Sequence, residues 1–299
     1  GSEMCIRDRV SNMKKLISKI AAVGLVAAMA MSLAGCGAGA GSGAGVVKTI
    51  DISLTDEQYA FGVDKNNADL LEQTNKYIEQ IKSDGTLDSI CEHYFGDGEP
   101  VGVTSAKEDD SKDQLVVATN AEFSPFEYKE GDTFYGIDME LAQGLAEYLN
   151  KELVILDVDF EAVCTYVDTG KADMAIAGLT INETRKESVN FTDSYYTASQ
   201  VLIVPSSDTA FDSCETADDV LAVLADQDAG RIGGQSGTTA EFYVKGDSDW
   251  GFDGISNMSW VGYTSGSLAV NDMLSGNINY VMIDKAPAEM IVKKVNAAN

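Results

Sequence analysis

Strand-like and helix-like segments alternate along the chain from residue 115 to residue 295, and this alternation limits the possible folds more than any other feature of the sequence. Short apolar runs such as residues 115–119 predict strands, and leucines four apart, such as Leu141 and Leu145, predict helices between them. Strands that alternate with helices form mainly parallel sheets flanked by helices. The sequence therefore predicts an α/β fold with two such sets, joined near Ser199, as two lobes.

The same patterns predict individual elements. Strands are expected at residues 46–54, 59–63, 115–119, 153–156, 173–177, 200–204, 231–234 and 280–283. Helices are expected at residues 67–82, 87–95, 138–149, 160–169, 182–188, 217–225, 238–244, 267–274 and 287–295.

The balance of charge excludes one class of partner. The 299 residues include 21 basic and 48 acidic side chains, for a formal net charge of −27. Binding to nucleic acid needs clustered Lys and Arg to release counterions, so the composition disfavours nucleic acid. It equally disfavours adsorption of the folded body to anionic membranes. The 44% of apolar residues suffices for a core.

The first 36 residues have the order of parts of a secretory leader. Residues 1–12 show no structural period and are interpreted as a cloning or sequence-assembly remnant; Lys14 and Lys15 then precede an apolar run at residues 21–30. The run Leu33-Ala34-Gly35-Cys36 resembles the lipobox of bacterial lipoproteins, which implies cleavage before Cys36 and its acylation. Residues 37–45 contain only Gly, Ala and Ser, a composition typical of a flexible tether. The alternative is an ordinary signal peptide with a chance cysteine.

Three further cysteines, Cys91, Cys164 and Cys214, are scattered and have no C-x-x-C spacing for zinc or redox chemistry. We interpret them as small buried residues, with a Cys91–Cys164 disulfide as an alternative. No metal site and no cofactor is predicted.

Polar and aromatic residues follow four of the predicted strands, where ligands bind in open α/β sheets. The first strand end carries Asn120 and Phe123, and the last carries Asp284; Phe160 opens a helix between them. The other two strand ends carry Gly178, Leu179, Thr180 and Arg185, and Gln235, Thr238 and Thr239.

This set suits a free α-amino acid. Arg185 can hold a carboxylate with two parallel hydrogen bonds, and the helix start near Thr239 presents amide groups that attract an anion. Asp284 and the Thr180 hydroxyl suit an ammonium group. Taken singly, such an Arg is usually a surface ion pair and such an Asp a cap. The prediction rests on their coincidence at four strand ends.

Five stretches resemble the polar amino acid-binding proteins of ABC importers, solute-binding family 3. They are LVVATNAEFSPFEY (115–128), YGIDMELAQGLAEYL (135–149), DMAIAGLTINETR (173–185), NFTDSYYTASQVLIV (190–204) and RIGGQSGTTAEFYV (231–244).

The resemblance implies a periplasmic-binding-protein-like fold of type II with two hinge crossings, and an extracytoplasmic, lipid-anchored monomer that serves an ABC-type permease. It also implies roles for single residues. Arg185 and the amides of Thr180 and Thr239 would bind the ligand carboxylate; Gly178, Thr180 and Asp284 would bind its amino group. Phe123 and Phe160 would pack on the side chain, with Leu179 in the same segment and Asn120, Gln235 and Thr238 near the tip or rim. Some relatives carry an acid where Asn120 stands, and a neutral amide there does not choose a ligand.

The order of segments departs from that family. Residues 47–96 resemble the C-terminal end of such proteins, yet they come first, so the sequence is interpreted as a circular permutant. Lobe 1 is then predicted from residues 59–99 and 114–199, and lobe 2 from residues 46–58 and 200–299. A linker at 100–113 joins the permuted ends, and the crossings fall near 58–60 and 198–201. An assembly error that reordered two pieces is the rival explanation and would leave the pocket unchanged.

Two other functions remain open on the same scaffold. A small dehydratase or lyase needs a general acid or base in the cleft. The single histidine, His93, lies on a helix away from the predicted cleft, which leaves Glu122, itself better suited to the rim. A ligand-sensing module for a signalling partner is the second alternative, although no signalling domain follows the second lobe in this sequence.

Overall fold

The computed structural model describes residues 45–298. The predicted leader, the acylation site at Cys36 and the tether up to residue 44 lie outside this range and stay predictions.

Strands and helices are numbered in chain order. The strands are β1 (Val47–Ile50), β2 (Glu57–Tyr59), β3 (Gly62–Asp64), β4 (Gln114–Thr119), β5 (Glu122–Phe123), β6 (Glu127–Glu130), β7 (Thr133–Tyr135), β8 (Glu152–Asp157), β9 (Met174–Ala175), β10 (Val189–Phe191), β11 (Tyr196–Ala198), β12 (Gln200–Pro205), β13 (Gly230–Gln235), β14 (Met258–Tyr263) and β15 (Tyr280–Asp284). The helices are α1 (Ala68–Ser83), α2 (Thr86–Phe95), α3 (Ile137–Tyr148), α4 (Val163–Asp168), α5 (Glu183–Lys186), α6 (Ala217–Ala225), α7 (Thr239–Lys245), α8 (Gly266–Leu274) and α9 (Lys285–Ala298). A 3₁₀ turn, Phe160–Ala162, precedes α4.

Two five-stranded sheets organise the described residues, and each defines a lobe. The sheet of lobe 1 has the order β10-β3-β9-β4-β8, and the sheet of lobe 2 has the order β1-β12-β15-β13-β14. In both, the first two pairings are antiparallel and the last two are parallel. The prediction of mainly parallel sheets therefore holds for two of the four strand pairings in each of these sheets and is wrong for the other two. The antiparallel pairings arise because β3 enters lobe 1, and β1 and β12 enter lobe 2, without a crossover helix.

The N-terminal segment of the described chain contributes to both lobes. Strand β1 pairs with β12 in lobe 2, from Val47 opposite Pro205 to Ile50 opposite Leu202. Strand β3 lies between β10 and β9 in lobe 1. Between the two, β2 pairs with β11 as a separate antiparallel ribbon in which Tyr59 lies opposite Tyr196. This ribbon holds two chain crossings between the lobes, and we call it the hinge ribbon.

Helix α3 shows why the periodic leucines form a helix here. Its residues Leu141 and Leu145 are fully buried against the lobe 1 sheet, as expected for apolar residues four apart on one face. In lobe 2, α6 begins at a capping box in which the Thr216 hydroxyl accepts from the Asp219 amide and the Asp219 carboxylate accepts from Thr216. This helix covers 217–225, as predicted.

Several elements differ from the sequence-based expectation. The predicted strand at 59–63 is two strands, β2 and β3, because the chain leaves the hinge ribbon at Ala60 before joining lobe 1. The small sheet β5-β6-β7 and the strand β14 were not predicted. Strand β14 lies at the edge of its sheet and is mostly half-exposed, so it lacks the continuous apolar run of a central strand.

The segment 100–113, predicted to be a surface linker, is tied to lobe 1. Val103 is buried and exchanges backbone hydrogen bonds with Phe134, and the Ile155 amide donates to the Ser105 hydroxyl over 2.8 Å. The segment therefore runs along β7 and β8 and is anchored by its few apolar and hydroxyl side chains.

The three described cysteines are free, so the alternative of a Cys91–Cys164 disulfide is wrong. Cys91 lies on α2 and Cys164 on α4, which pack on different parts of lobe 1. Each is half-buried rather than fully buried.

Candidate functional site

A small polar cavity lies between the lobes, at the carboxyl ends of their central strands. It is lined by Phe123, Phe160, Gly178, Thr180, Arg185, Gln235, Thr238, Thr239 and Asp284. Its volume is about 10 Å³, close to the space that one water molecule needs. Any larger solute therefore enters only when the lobes separate.

Arg185 extends its guanidinium from lobe 1 toward lobe 2. Helix α5 begins at Asn182, whose side-chain oxygen accepts from the Arg185 amide over 2.7 Å, and this cap holds the residue in the first turn. Nη1 donates to the carbonyl of Thr180 at 2.8 Å, and Nη2 donates to the carbonyl of Gly237 in lobe 2 at 3.1 Å. The guanidinium also stacks near Phe160, 5.3 Å from the ring centroid. A fixed cation thus borders the cavity.

Asp284 supplies a negative charge from lobe 2. It ends β15 and is buried, and its Oδ1 accepts a hydrogen bond from the Tyr59 hydroxyl at 2.6 Å. Burial, followed by the neighbouring charge of Glu57, raises the pKa of Asp284 to about 7, against the opposing hydrogen bond from Tyr59. A cation beside this carboxyl would relieve both causes.

Glu57, on the hinge ribbon, connects the two lobes by its carboxylate. Its Oε2 accepts from the Thr180 hydroxyl of lobe 1 at 2.7 Å and from the Thr239 hydroxyl of lobe 2 at 2.6 Å. Its Oε1 accepts from Thr55 at 2.6 Å and from the side-chain amide of Gln200 at 3.0 Å. A buried carboxylate with four donors is satisfied, and here two of those donors belong to opposite sides of the cleft.

The far end of the site is closed by an amide pair. The side-chain amide of Gln235 in lobe 2 donates to Oδ1 of Asn120 in lobe 1 at 2.7 Å, and Asn120 donates to the Val158 carbonyl at 2.8 Å. Thr238 donates its hydroxyl to the Gln235 carbonyl at 2.7 Å. The two amide groups at this end of the site are therefore neutral and can both donate and accept hydrogen bonds.

Position 178 requires glycine, both because of its backbone conformation and because neighbouring side chains leave little room for a Cβ atom. Its φ is +53°, and a Cβ would lie 3.1 Å from the Phe123 ring. Its amide donates to Oδ2 of the fully buried Asp138 at 2.7 Å, and the Tyr195 hydroxyl donates to Oδ1 of the same residue at 2.6 Å. These bonds hold the backbone of the ligand-side loop after β9.

Most of the predicted site residues meet in this cavity. All line it except Asn120 and Leu179. Asn120 contacts the site through Gln235. The Leu179 side chain does not line the cavity, because it is buried in an apolar cluster of lobe 1, and its carbonyl accepts a hydrogen bond from the Ala60 amide.

The sequence-based reasoning missed Glu57 and Tyr59. A signal existed, because Glu57 and Tyr59 stand two residues apart at a predicted hinge crossing, which places both side chains on one face of an extended strand. The structure has the same period, since Glu57 and Tyr59 are buried while Gln58 is exposed. A buried acid on a strand that runs between the lobes indicates a hydrogen-bond partner in one of the lobes.

Two negative findings apply to residues 45–298. Within this range, no group of three or more His, Cys, Asp or Glu side chains is arranged to hold a metal ion. No helix of the described chain combines the length and the hydropathy needed to cross a membrane.

The sequence profile of the bacterial extracellular solute-binding proteins, family 3, matches residues 115–298. The chain belongs to this family. The family match and the structural relatives establish the two-lobe, periplasmic-binding-protein-like α/β fold, with mixed sheets.

Two curated relatives and one solved structure illustrate the similarity. The arginine-binding extracellular protein ArtP of Bacillus subtilis is 36% identical over 102 residues, 34% of this chain and 40% of the relative. The histidine-binding periplasmic protein of Salmonella typhimurium is 25% identical over 176 residues, 58% of this chain and 62% of the relative. The structure of an ancestral arginine-binding protein bound to glutamine is 30% identical with a TM-score of 0.53, covering 62% of this chain and 76% of that one. The chain thus spans less than two thirds of the curated relatives' length.

Proposed function

We propose that this family 3 protein is an extracytoplasmic receptor that captures a polar L-amino acid between its lobes and delivers it to an ABC-type importer. The observation that carries the proposal is the meeting of Arg185 and Asp284 in one cavity, one from each lobe. A cation and an anion at two ends of a small site match the carboxylate and ammonium of an α-amino acid.

The roles of the single residues follow from this arrangement. Arg185, with the amides of Thr180 and Thr239, holds the carboxylate, while Asp284, the Gly178 carbonyl and the Thr180 hydroxyl hold the ammonium group. Phe123 and Phe160 pack against the aliphatic part of the ligand. Curated relatives bear the names of arginine- and histidine-binding proteins, and a similar solved structure is bound to glutamine. The neutral Asn120–Gln235 pair accommodates either an amide or a cationic side chain.

The cleft operates by hinge motion. The lobes meet through Arg185, Glu57 and the Asn120–Gln235 pair, and the space left between them is about 10 Å³. An amino acid therefore binds while the lobes are apart and stabilises their closure, provided that it binds the closed form more tightly.

Binding is favoured over catalysis by the position of Glu122. The sequence offered this acid as the proton donor or acceptor of an enzymatic reaction. It is exposed and does not line the cavity. A receptor needs no such group.

Membrane attachment and partners complete the proposal. Acylation at Cys36, outside the described residues, would anchor a monomer to the outer face of the bacterial membrane, where an ABC-type permease receives the ligand. Residues 37–45 would form a flexible tether between the acylated Cys36 and the folded lobes.

We also propose that the order of segments is a circular permutation of the family pattern. The family profile begins at residue 115, whereas residues 47–96 resemble a family C-terminus. Val47 and Asn296 are hydrogen-bonded neighbours: the Val47 amide donates to Oδ1 of Asn296 at 3.1 Å, and Nδ2 of Asn296 donates to the Val47 carbonyl at 2.8 Å. A short connection between α9 and β1 would therefore restore the family order without moving either element.

Calorimetric titration with each of the twenty L-amino acids tests the proposed function. We expect saturable binding of one or a few polar amino acids. Replacing Arg185 by Ala should weaken that binding by about 2–5 kcal/mol, at least about 30-fold, since it leaves a carboxylate without its cation in a buried site. The matched control is Arg231→Ala, since Arg231 is exposed at the far end of β13. No binding at millimolar ligand, or equal affinity of the two variants, would overturn the proposal.

A further inference from the structure

A second cavity, of about 450 Å³, lies on the other side of the hinge ribbon from the small polar cavity. Lobe 1 contributes residues of α2, lobe 2 contributes the first turn and a half of α9, and the segment 195–199 of the ribbon lies between them. We call it the rear cavity. It is large enough for a small organic molecule, whereas the cleft cavity holds about one water.

Aromatic rings form one wall of the rear cavity. Phe126 and Tyr196 meet edge to face with centroids 4.9 Å apart, and Phe95 stacks on Tyr196 at 6.0 Å. Tyr59 joins the group at 5.1 Å from Phe126. Phe95 is 47% exposed, so part of this aromatic wall is open to solvent. The faces of such rings carry negative partial charge and attract cations.

The charged residues around the rear cavity are mainly acidic. Asp88, Asp284 and Glu289 line it, against a single basic residue, Lys285. Lys285 is paired with Asp51, with Nζ and Oδ1 2.5 Å apart. Within residues 45–298, neither Asp88 nor Glu289 takes part in an ion pair. The cavity therefore offers negative charge next to ring faces and excludes anions.

We propose that the rear cavity binds a small organic cation with an apolar body, such as an alkylammonium or quaternary ammonium compound. The methyl or methylene groups of such a cation would pack on the accessible rings of Phe95 and Tyr196, behind which Phe126 is fully buried. Its charge would be attracted by the ring faces and by Asp88 and Glu289, on opposite walls. An inorganic cation would have no apolar groups to pack on the rings, and a neutral molecule would have no charge for the ring faces and the carboxylates to attract.

Occupation of the rear cavity is coupled to the cleft. Asp284 lines both cavities, and Tyr59 lines the rear cavity while donating its hydroxyl to Asp284. A molecule between α2 and α9 also holds the two lobes apart behind the hinge, which opposes opening of the cleft in front of it. The cation should therefore raise the affinity for the amino acid, and the amino acid should raise the affinity for the cation by the same factor. This coupling rests on the proposed receptor function, whereas binding of the cation does not.

Calorimetric titration with choline, compared with its uncharged isostere 3,3-dimethylbutan-1-ol, tests the cation site without any amino acid present. We expect saturable binding of choline and at least tenfold weaker binding of the alcohol. The variants Phe95→Ala and Glu289→Gln should each weaken choline binding about three- to tenfold. Matched controls are Tyr148→Ala and Glu79→Gln, an exposed aromatic residue and an exposed acid elsewhere on lobe 1, which should leave it unchanged.

Arg185→Ala distinguishes the two cavities. It should retain saturable choline binding, because choline carries no carboxylate for the cleft, and lose only the part of the affinity that the bond from Arg185 to Gly237 across the lobes contributes to closure. Equal binding of the alcohol, insensitivity to Phe95→Ala and Glu289→Gln, or loss of choline binding in Arg185→Ala would overturn the site. With saturating choline, the affinity for the best amino acid ligand should rise; an unchanged or lower affinity would refute the coupling.

Discussion

The hydroxyl of Tyr59 donates a 2.6 Å hydrogen bond to Oδ1 of Asp284, and both residues are buried. Tyr59 belongs to the hinge ribbon and Asp284 ends a central strand of lobe 2. The bond therefore connects the hinge ribbon to the proposed ammonium site. The same tyrosine ring packs against Phe126 and Tyr196. Tyr59 therefore belongs to the hinge ribbon and to the aromatic wall of the rear cavity, and it contacts the proposed ligand site through Asp284.

Replacing Tyr59 by Phe should weaken amino acid binding at pH 7 by about 1 kcal/mol, roughly fivefold, because Asp284 loses a donor that favours its charged form. Calorimetry at pH 7 and pH 9 measures the effect, which should shrink at the higher pH, where Asp284 is ionised without help. Tyr196→Phe is the matched control, since that neighbouring ring is half-exposed. A loss of the same size in Tyr196→Phe would remove the special role of the Tyr59 hydroxyl.

Amino acid affinity should depend on pH through Asp284. Burial and the charge of Glu57 raise the pKa of Asp284 to about 7 in the unliganded site, and a bound ammonium group would lower it. The tight-binding form is the ionised one, so affinity is fully present above this pKa and is lost as the pH falls through it, by roughly fivefold from pH 7 to pH 6. Calorimetry in buffers of different ionisation enthalpy should detect proton release near pH 6.5. Binding without proton release there would contradict the assignment.

Thr239→Val tests whether Glu57 helps to hold the lobes together. The variant keeps the backbone amide and the shape of the side chain but removes the hydroxyl that donates to Glu57 across the cleft. Loss of a hydrogen bond to a charged group costs about 1.5–3 kcal/mol, which would act on the closed form and lower affinity at least about tenfold.

Small-angle X-ray scattering of the Thr239→Val variant should also give a larger radius of gyration without ligand. Thr197→Val, an exposed hydroxyl on β11, is the control and should change neither quantity. An unaltered scattering curve together with unaltered affinity for Thr239→Val would show that Glu57 has no part in closure.

Thermal stability should fall as the pH rises above about 5, and Glu127 should be one cause. Burial, with the charge of Asp138, raises the pKa of Glu127 well above its usual range, and burial raises that of Asp138 to about 6. Groups with a raised pKa in the folded state stabilise it below their unfolded pKa, and this contribution is lost as the pH rises through the folded value.

Glu127→Gln should therefore lose less thermal stability between pH 5 and pH 8 than the unaltered protein, as measured by the melting temperature. Glu130→Gln, an exposed acid on the same strand, provides the comparison and should follow the unaltered protein. Parallel melting curves for all three proteins would mean that Glu127 does not carry a buried proton.

Much of the site was predictable because its residues follow strands with clear apolar runs. Asp284 ends β15, Thr239 follows β13 and Arg185 lies in the segment after β9, and in each sheet the parallel strands bring their carboxyl ends to one edge. Sequence position could not show that the Leu179 side chain packs in the core while its neighbours Gly178 and Thr180 line the cavity. Strand β14 was missed since an edge strand does not require an apolar run.

The role of Glu57 was not predictable in the same way. Its local sequence shows an acid that alternates with Tyr59 at the predicted crossing, but its partners Thr180 and Thr239 lie 123 and 182 residues away and could not be identified from that pattern. The rear cavity likewise depends on how α2 and α9 approach each other across the hinge, and neither helix has a sequence feature that marks a cavity.

The sequence by itself determined the alternation of strands and helices, the division into two lobes and the strand ends that carry polar groups, because these follow from local periodicity and from the geometry of parallel strands. Only the tertiary structure decided which groups meet across the cleft, how small the space between the lobes is and that a second cavity lies behind the hinge. Those properties depend on contacts between distant segments, and close packing of two lobes is set by side-chain shape rather than by sequence spacing.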